Sequence, residues 1–331
     1  MVTSQVDNSL NSKAGVLERP RVVFDGGNRS IQWIDADRRV HCIPSFIKYF
    51  DPEWEDVQPD SESVVIEFED QHFVIGAAAK DMSGIPVFQD DKIAIARHLA
   101  LVALQPNGAG QKSVRIDELM VALPNSRSTA DSQTLKGIEG TYGFMRNGQY
   151  ITATVRKVVP VDETRAAYQY AMRRDVFLSK LQLNGVLDLG GGTSIARLYS
   201  KAGSCIREAD VQLPGTFSLA SMISARLTRT IGSSPDLTLI MDGIEDGSFK
   251  LGTSNYTFNK EFDLCRQAWL DSIKGEIKTR WNSWLNQLGE VLIIGGSAPL
   301  AEPLQAQTEG RFKIAENPQT ISILGMTEVE V

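Results

Sequence analysis

VLDLGGGTSIARLYS, residues 186–200, decides how this chain is read. Small and apolar residues lead into Asp188. Gly190, Gly191 and Gly192 follow, then the hydroxyl residues Thr193 and Ser194, then an apolar-alternating run. The pattern predicts a strand, a tight turn and a second strand. Three glycines in a hairpin weaken it unless the turn uses them, because ordering glycine costs backbone entropy. One use is to bring the backbone close to a ligand and aim N–H groups at it, and phosphate oxygens are the natural guests. Thr193 and Ser194 would add hydroxyl donors. A carboxylate at the strand end would repel phosphate, so Asp188 makes sense there only with a cation between them. Mg²⁺ would serve, bound largely through waters. Taken alone, the stretch is open between a structural hairpin and a phosphate loop.

A similar opening stands about half the chain earlier. In RVVFDGGNRSIQWID, Val22, Val23 and Phe24 precede Asp25, and Ile31, Trp33 and Ile34 follow the turn. Asp-Gly is also a common hairpin signature, so this turn alone decides little. A third glycine turn, Gly295, Gly296 and Ser297, follows the apolar run VLII. The first two turns match neither GxxxxGK[ST] nor a GxGxxG that opens a helix. The weight lies in the set and its order.

The 331 residues suggest about two domains, with 42% hydrophobic and 23% charged residues. A core can form without staples. The formal net charge of −7 argues against a broad nucleic-acid surface and leaves partners bound through an adaptor untouched. Cys42, Cys205 and Cys265 are dispersed and odd in number, which predicts free buried thiols in a reducing compartment. His41, His72 and His98 show no ligand spacing. No run approaches the roughly 18 apolar residues of a membrane span, and no signal-peptide core opens the chain. A cytoplasmic protein is expected.

Residues 1–20 read as a flexible tail. VHCIPSFIKYF continues the first sheet, and SVVIEFEDQHFVIG predicts a hairpin turning near Glu69 and Asp70. Ile93, Ala96, Leu99, Ala100 and Ala103 have helical spacing. ELMVALPNS predicts a buried strand, GQYITATVRKVVPV one alternating strand, and TRAAYQYAMRR a helix. After the restart at residue 184, LPGTFSLASMISARLT and PDLTLIMDGIEDG predict helices, and FKL a short strand. Residues 260–290 predict one long amphipathic helix whose buried stripe is Cys265, Trp269, Ile273, Ile277, Trp281, Trp284 and Leu288. A short helix in NPQTISILGMTEVEV closes the chain. Strands and helices mix throughout, so the class is α/β with mixed sheets.

With these segments in order, the chain resembles the superfamily of actin, sugar kinases and heat-shock chaperone ATPases. FDGGNRSIQW resembles its first phosphate loop, LDLGGGTSIARL its second and LIIGGSAPL its adenosine loop. MVALPNS and KVVPVDETRAAY resemble the connecting segment. The likeness covers residues 21–331. It is nearest the plasmid-segregation actin-like proteins of the ParM/StbA type, through the LPNS loop, the VxPxxE-like turn and LPGTFSLASMISARL.

The resemblance implies an actin-like (ribonuclease H-like) two-domain ATPase fold with mixed five-stranded sheets, and ATP, or GTP in its place, with Mg²⁺ in the interdomain cleft. Residues 21–180 plus about 308–331 would form domain I, and 181–307 domain II. It implies Asp25 and Asp188 on the metal side, Gly27, Asn28 and Gln32 in the first loop, and Gly190, Gly191, Gly192 and Thr193 in the second. Gly215 and Thr216 would lie near the ribose and base, with Gly295, Gly296 and Ser297 in the adenosine loop. Glu163 or Asp162 would orient the attacking water, with Asp188 the third catalytic residue; Glu163 is the preferred of the pair. As helix N-terminal residues, both are equally readable as caps. The family's first loop carries a Lys seven residues after its Asp. Gln32 stands there instead, a donor without charge, which puts nucleotide affinity and hydrolysis rate in question. Arg29 reads as a solvent-facing residue or a compensating charge.

The function this implies is a polymerising ATPase. Head-to-tail contacts would give an open filament of the chain with itself, moving plasmid DNA through a separate DNA-binding adaptor. Two alternatives share the fold: a sugar-kinase-like phosphotransferase, and a cytoskeletal scaffold that hydrolyses ATP slowly.

Overall fold

The computed structural model describes residues 15–87, 95–106, 111–178 and 182–329. The first half of the chain builds β1 (Val16–Gly26), β2 (Ser30–Ile34), β3 (Val40–Pro44), β4 (Phe46–Phe50), β5 (Ser63–Phe68), β6 (Gln71–Gly76), α1 (Ala77–Asp81) and β7 (Ile85–Pro86). It continues with α2 (Ala96–Ala100), β8 (Ser113–Leu123), α3 (Thr129–Leu135), β9 (Gly140–Arg146), β10 (Gln149–Val155), β11 (Val158–Asp162) and α4 (Glu163–Arg173). The second half holds β12 (Leu183–Leu189), β13 (Thr193–Tyr199), β14 (Val211–Pro214), α5 (Thr216–Ile231), α6 (Leu237–Glu245) and α7 (Asn259–Arg280). β15 (Leu288–Ile294), α8 (Glu302–Gln307), β16 (Phe312–Ile314) and α9 (Ile321–Met326) complete it.

The two glycine turns open two sheets of the same design. In the first, β3-β2-β1-β8-β11 runs antiparallel, antiparallel, parallel, parallel. In the second, β14-β13-β12-β15-β16 repeats that order and those directions. β1 and β12 therefore hold equivalent places, and Asp25 and Asp188 stand at equivalent ends of them. Both turns span three residues, 27–29 and 190–192. The partner opposite Asp25 is Gln32; the partner opposite Asp188 is Ile195.

The mixed five-stranded core thus holds in both halves, but the first sheet is larger than expected. Among the described residues it has eleven strands. β8 is long enough to pair β10 along its first half and β11 along its second. The expected single strand over 149–161 is broken at 156 and 157; its first part, β10, is paired with the preceding β9, which carries β5, β6, β4 and β7 beyond it. The β5–β6 hairpin turns where expected, with Glu69 and Asp70 both at positive φ, the backbone of a two-residue type I′ turn.

Several boundaries move. β1 starts at Val16, so residues 16–20 are strand rather than tail; they pair in parallel with β8 from Ser113 onward. Their polar side chains hid a strand held by backbone bonds. Residues 1–14 and Ile93 lie outside the described residues. β16 still pairs with β15, so the chain leaves the second sheet after Ile314, later than residue 308. Three residues are too few to show a period. The long helix ends at Arg280, a 3₁₀ turn covers Asn282–Gln287, and Leu288 begins β15. FKL gives only an isolated bridge, Lys250 to Thr257. Of the cysteines, only Cys265 is buried; Cys42 is exposed and Cys205 half-buried, all three free. Among the described residues, no helix is long and apolar enough to cross a membrane.

Apolar side chains pack on both faces of each sheet. α2 and α3 cover one face of the first sheet, and α9 covers the other beside Val23, Met120 and Val161. α5, α6 and α7 cover the second, with Trp269 and Trp281 fully buried. A separate cluster runs from Tyr168 of α4 to Val186, Leu292 and Ile321, joining the two halves.

Candidate active site

Between the sheets lies a cleft of about 1190 Å³. Asp25, Gly27, Asn28, Gln32, Glu163, Asp188, Gly190, Gly191, Gly192, Thr193, Thr216, Gly295, Gly296 and Ser297 all line it. Residues more than 270 positions apart in sequence meet there.

The loops are pinned from behind. Ser45 donates its hydroxyl to Gly27 O at 2.7 Å and its N–H to Arg29 O at 2.9 Å. The first N–H groups of α5 turn to the second loop: Thr216 N–H donates to Gly190 O and Phe217 N–H to Gly191 O, at 3.1 and 2.8 Å. These donors are spent on fixing the loop, which satisfies a helix end that lacks a side-chain cap. Ser297 N–H donates to Leu189 O at 3.0 Å, and the Ser297 and Thr216 hydroxyls bond each other.

The two glycine turns meet face to face. A Cβ on Gly192 would come within 2.6 Å of Asn28 Nδ2, and one on Gly191 would overlap the Arg29 side chain. Glycine is required here by close approach, and the cradle is made of backbone. Gly215 is not on the cleft wall. It caps α5 beneath the loop, where a Cβ would meet Gly191 O at 2.6 Å.

Glu163 and Asp162 separate. Glu163 opens α4 and lines the cleft. Asp162 is 4% exposed and turned away from it, accepting from Ser126 N–H at 2.7 Å and from Arg207 Nη2 at 3.1 Å. Its two oxygens are held by these structural partners and it does not line the cleft. The helix N-cap alternative is also not realised by its side chain.

Arg29 is neither solvent-facing nor aimed at the loops. It pairs with Asp242 at 3.1 Å and with Glu245, both on α6. Lys80 of α1 reaches Asp242 as well, at 2.8 Å. Gln32 is 4% exposed; its Nε2 donates to Gln319 O at 3.1 Å, and its Oε1 has no hydrogen-bond partner.

Sequence reading missed part of the wall. Phe217, Met241, Ile244, Pro299 and Leu300 give an apolar side to the cleft, and Arg197 and Asn125 a polar end. For Arg197 a signal existed: a charged residue inside the strand run IARLY. For α6 there was none, because only packing carries it to the cleft.

The residues present suit a nucleotide with a divalent cation. The glycine cradle offers backbone donors to phosphate, the apolar side suits a base, and buried Gln32 Oε1 is an acceptor awaiting a donor. Among the described residues no three His, Cys, Asp or Glu converge into a protein-only metal cage. Mg²⁺ normally needs none, since one or two carboxylates, waters and phosphate oxygens hold it. Of the carboxylates lining the cleft, Asp25 and Asp188 are the two just ahead of the glycine turns.

No protein-family model and no curated protein matches the chain. Solved structures do. An archaeal actin homolog is 12% identical, with a TM-score of 0.74 over 93% of this chain and 98% of that one. The same homolog has been solved in complex with ADP. A ParM from Clostridium botulinum, solved as a whole 15-stranded filament, is 18% identical, with a TM-score of 0.76 over 94% and 99%. The actin-like protein Alp7A is 14% identical, with a TM-score of 0.70 over 94% and 95%. The fold is actin-like, the expected one: two mixed sheets flanked by helices.

Proposed function

We propose that this chain is a ParM-type, filament-forming actin-like ATPase that hydrolyses ATP between its two sheets. The observation that carries this reading is the meeting of two glycine turns, each following an aspartate on equivalent strands, with Glu163 on the same cleft wall. In this reading residues 27–29 and 190–193 hold the phosphates through backbone N–H groups, with Asp25 and Asp188 on the metal side. Mg²⁺, when bound, neutralises charge developing on the phosphates. Gly296 and Ser297, with the apolar side at Met241 and Ile244, take the base and ribose. Glu163 orients the attacking water, the requirement left once phosphate is positioned and its charge screened. Phosphoryl transfer asks little else of the protein than position and electrostatics.

The known ParM filament supports head-to-tail assembly of this chain, and the acidic net charge supports DNA attachment through a separate basic adaptor. A cytoplasmic setting and plasmid segregation belong to the same reading. Gln32, without a charge where the resemblance calls for Lys, favours a second reading in which the filament forms and hydrolysis is slow. One experiment separates these. Mg·ATP is added, light scattering and pelleting report polymer, and phosphate release is followed in the same tube. Polymer with phosphate supports the proposal. Polymer without phosphate supports the slow scaffold. Phosphate release that needs a sugar and gives no polymer overturns both.

A further inference from the structure

Arg197 lies on β13, five residues beyond Gly192 at the end of the Gly190–Gly192 turn, and is 4% exposed. Its guanidinium reaches out of the second sheet to the ends of two strands of the first. Nη2 donates to Pro124 O at 2.6 Å, just past β8. Nη1 donates to Thr164 Oγ1 at 2.9 Å and lies 3.4 Å from Asp162 Oδ1, at the end of β11. Nε donates to Asp210 Oδ2 at 3.2 Å on its own side. Tyr199, two residues on, donates to the same Thr164 Oγ1 at 2.9 Å. Asp162 in turn accepts from Ser126 N–H, so the two loop starts are also tied to each other. Burial disfavours the Arg197 charge, but Asp162, Tyr199 and Asp210 outweigh it and hold its pKa above the ordinary value.

Next to these anchors, Asn125 after Pro124 and Glu163 before Thr164 line the cleft, as do Pro124 and Arg197 themselves. We infer that Arg197 is a positioning residue for hydrolysis: it holds Glu163 and Asn125 in register with the phosphate turn on its own strand. The inference rests on the reading of Glu163 as the water-orienting group. The physical reason is geometric. A displacement of about 1 Å of a catalytic group can cost about 100-fold in rate. Glu163 belongs to one sheet and the Gly190–Gly192 turn to the other, so some rigid group must span them. A planar guanidinium with donors fixed in a fork does this better than a flexible ammonium.

The test is Arg197→Lys, which keeps the charge and loses the fork, with Thr164→Val beside it as a milder variant that removes one acceptor. For each, affinity for Mg²⁺ and a non-hydrolysable ATP analogue, the fraction pelleted with that analogue, and single-turnover phosphate release with Mg·ATP are measured. The expected result for Arg197→Lys is affinity and pelleting within about threefold of the parent and a release rate lower by about 10- to 100-fold. Thr164→Val should show the same split with a smaller drop. A purely structural Arg197 would lower affinity, pelleting and rate together, and that outcome, or an unchanged rate, overturns the inference. Should Arg197→Lys fail to fold, Thr164→Val decides by the same criteria. Glu163→Gln guards the premise. If it releases phosphate at the parent rate, the reading of Glu163 has failed; if it is slow while both other variants are normal, only the role of Arg197 has failed.

Discussion

Asp188 ends β12 as Asp25 ends β1, and each faces the glycine turn that follows it. If Asp188 holds the metal side of the phosphates, removing its carboxylate leaves phosphate charge unscreened at the reacting centre. Asp188→Ala is expected to lower phosphate release by about 100-fold or more, the scale of losing one electrostatic contact to a transition state. Release at the parent rate in a stopped assay with Mg·ATP would remove Asp188 from the site. Legibility at this scale was uneven. The glycine runs were readable as turns from the sequence, but of Gly190, Gly191 and Gly192 only Gly190 has a local backbone clash, with Thr193 O; Gly191 and Gly192 are crowded by Arg29 and Asn28 of the other turn. The choice between Asp162 and Glu163 was not readable, since adjacent residues differ only in which way they point. Asp162 points to Arg207 and Ser126, partners 45 and 36 residues away. Arg29 was misread for the same reason, its partners lying on an element 213 residues further along.

At the scale of elements, the closing helix α9 packs against α4 at a point where glycine is needed. A Cβ on Gly325 would overlap the carbonyl of Ala166. Gly325→Ala would gain about 1 kcal/mol of helix propensity. Overpacking at a backbone contact costs about 1–3 kcal/mol, and the helices cannot part without opening the apolar cluster around Ala166 and Ile323. Overpacking wins, and a lower melting temperature by calorimetry is expected; a higher one would show that the helices slide freely. The same joint is clasped by Glu328, which accepts from Arg174 and Arg173. The hydrogen bond from Arg174, then its charge and that of Arg173, hold the Glu328 carboxyl below its ordinary pKa. A carboxylate with a depressed folded pKa adds stability above its unfolded pKa of about 4.3 and loses it as pH falls through the folded value. The groups are partly exposed, so the clasp contributes about 1 kcal/mol or less. Glu328→Gln is thus expected to melt slightly lower than the parent at pH 7, with the difference shrinking as pH falls below about 4.3. A difference that does not shrink on acidification would assign the effect to packing.

At the scale of the molecule, the cleft is bridged on its rim. Arg29 and Lys80, from the side of the first sheet, both reach Asp242 on α6. Partly exposed pairs like these contribute about 0.5–1 kcal/mol together, enough to bias an open–closed equilibrium by about two- to fivefold. Asp242→Ala is expected to raise the radius of gyration of the nucleotide-free protein in small-angle scattering, and added salt to act on the parent in the same direction. If neither changes the scattering, these rim pairs do not bias the closure, and the α4 and α9 cluster with the Arg197 contacts holds the two halves.

By itself the sequence determined what depends on near neighbours: the strand–turn–strand openings, the glycine cradles, the aspartate before each turn, and the repeated order that implied two related halves. Those features follow from backbone sterics and period, which a local window contains. The tertiary structure decided the rest. It joined six further strands to the first sheet, carried β16 to the second, brought α6 to the cleft, and set Glu163 rather than Asp162 on the cleft wall. Each of these depends on partners far along the chain, through pairing edges and buried charges whose positions only the packed fold sets. VLDLGGGTSIARLYS shows both in one stretch: Gly190 is explained by Thr193 O within the turn, Gly191 and Gly192 by Arg29 and Asn28 of the other turn, and Arg197 only by Pro124, Asp162 and Thr164 across the cleft.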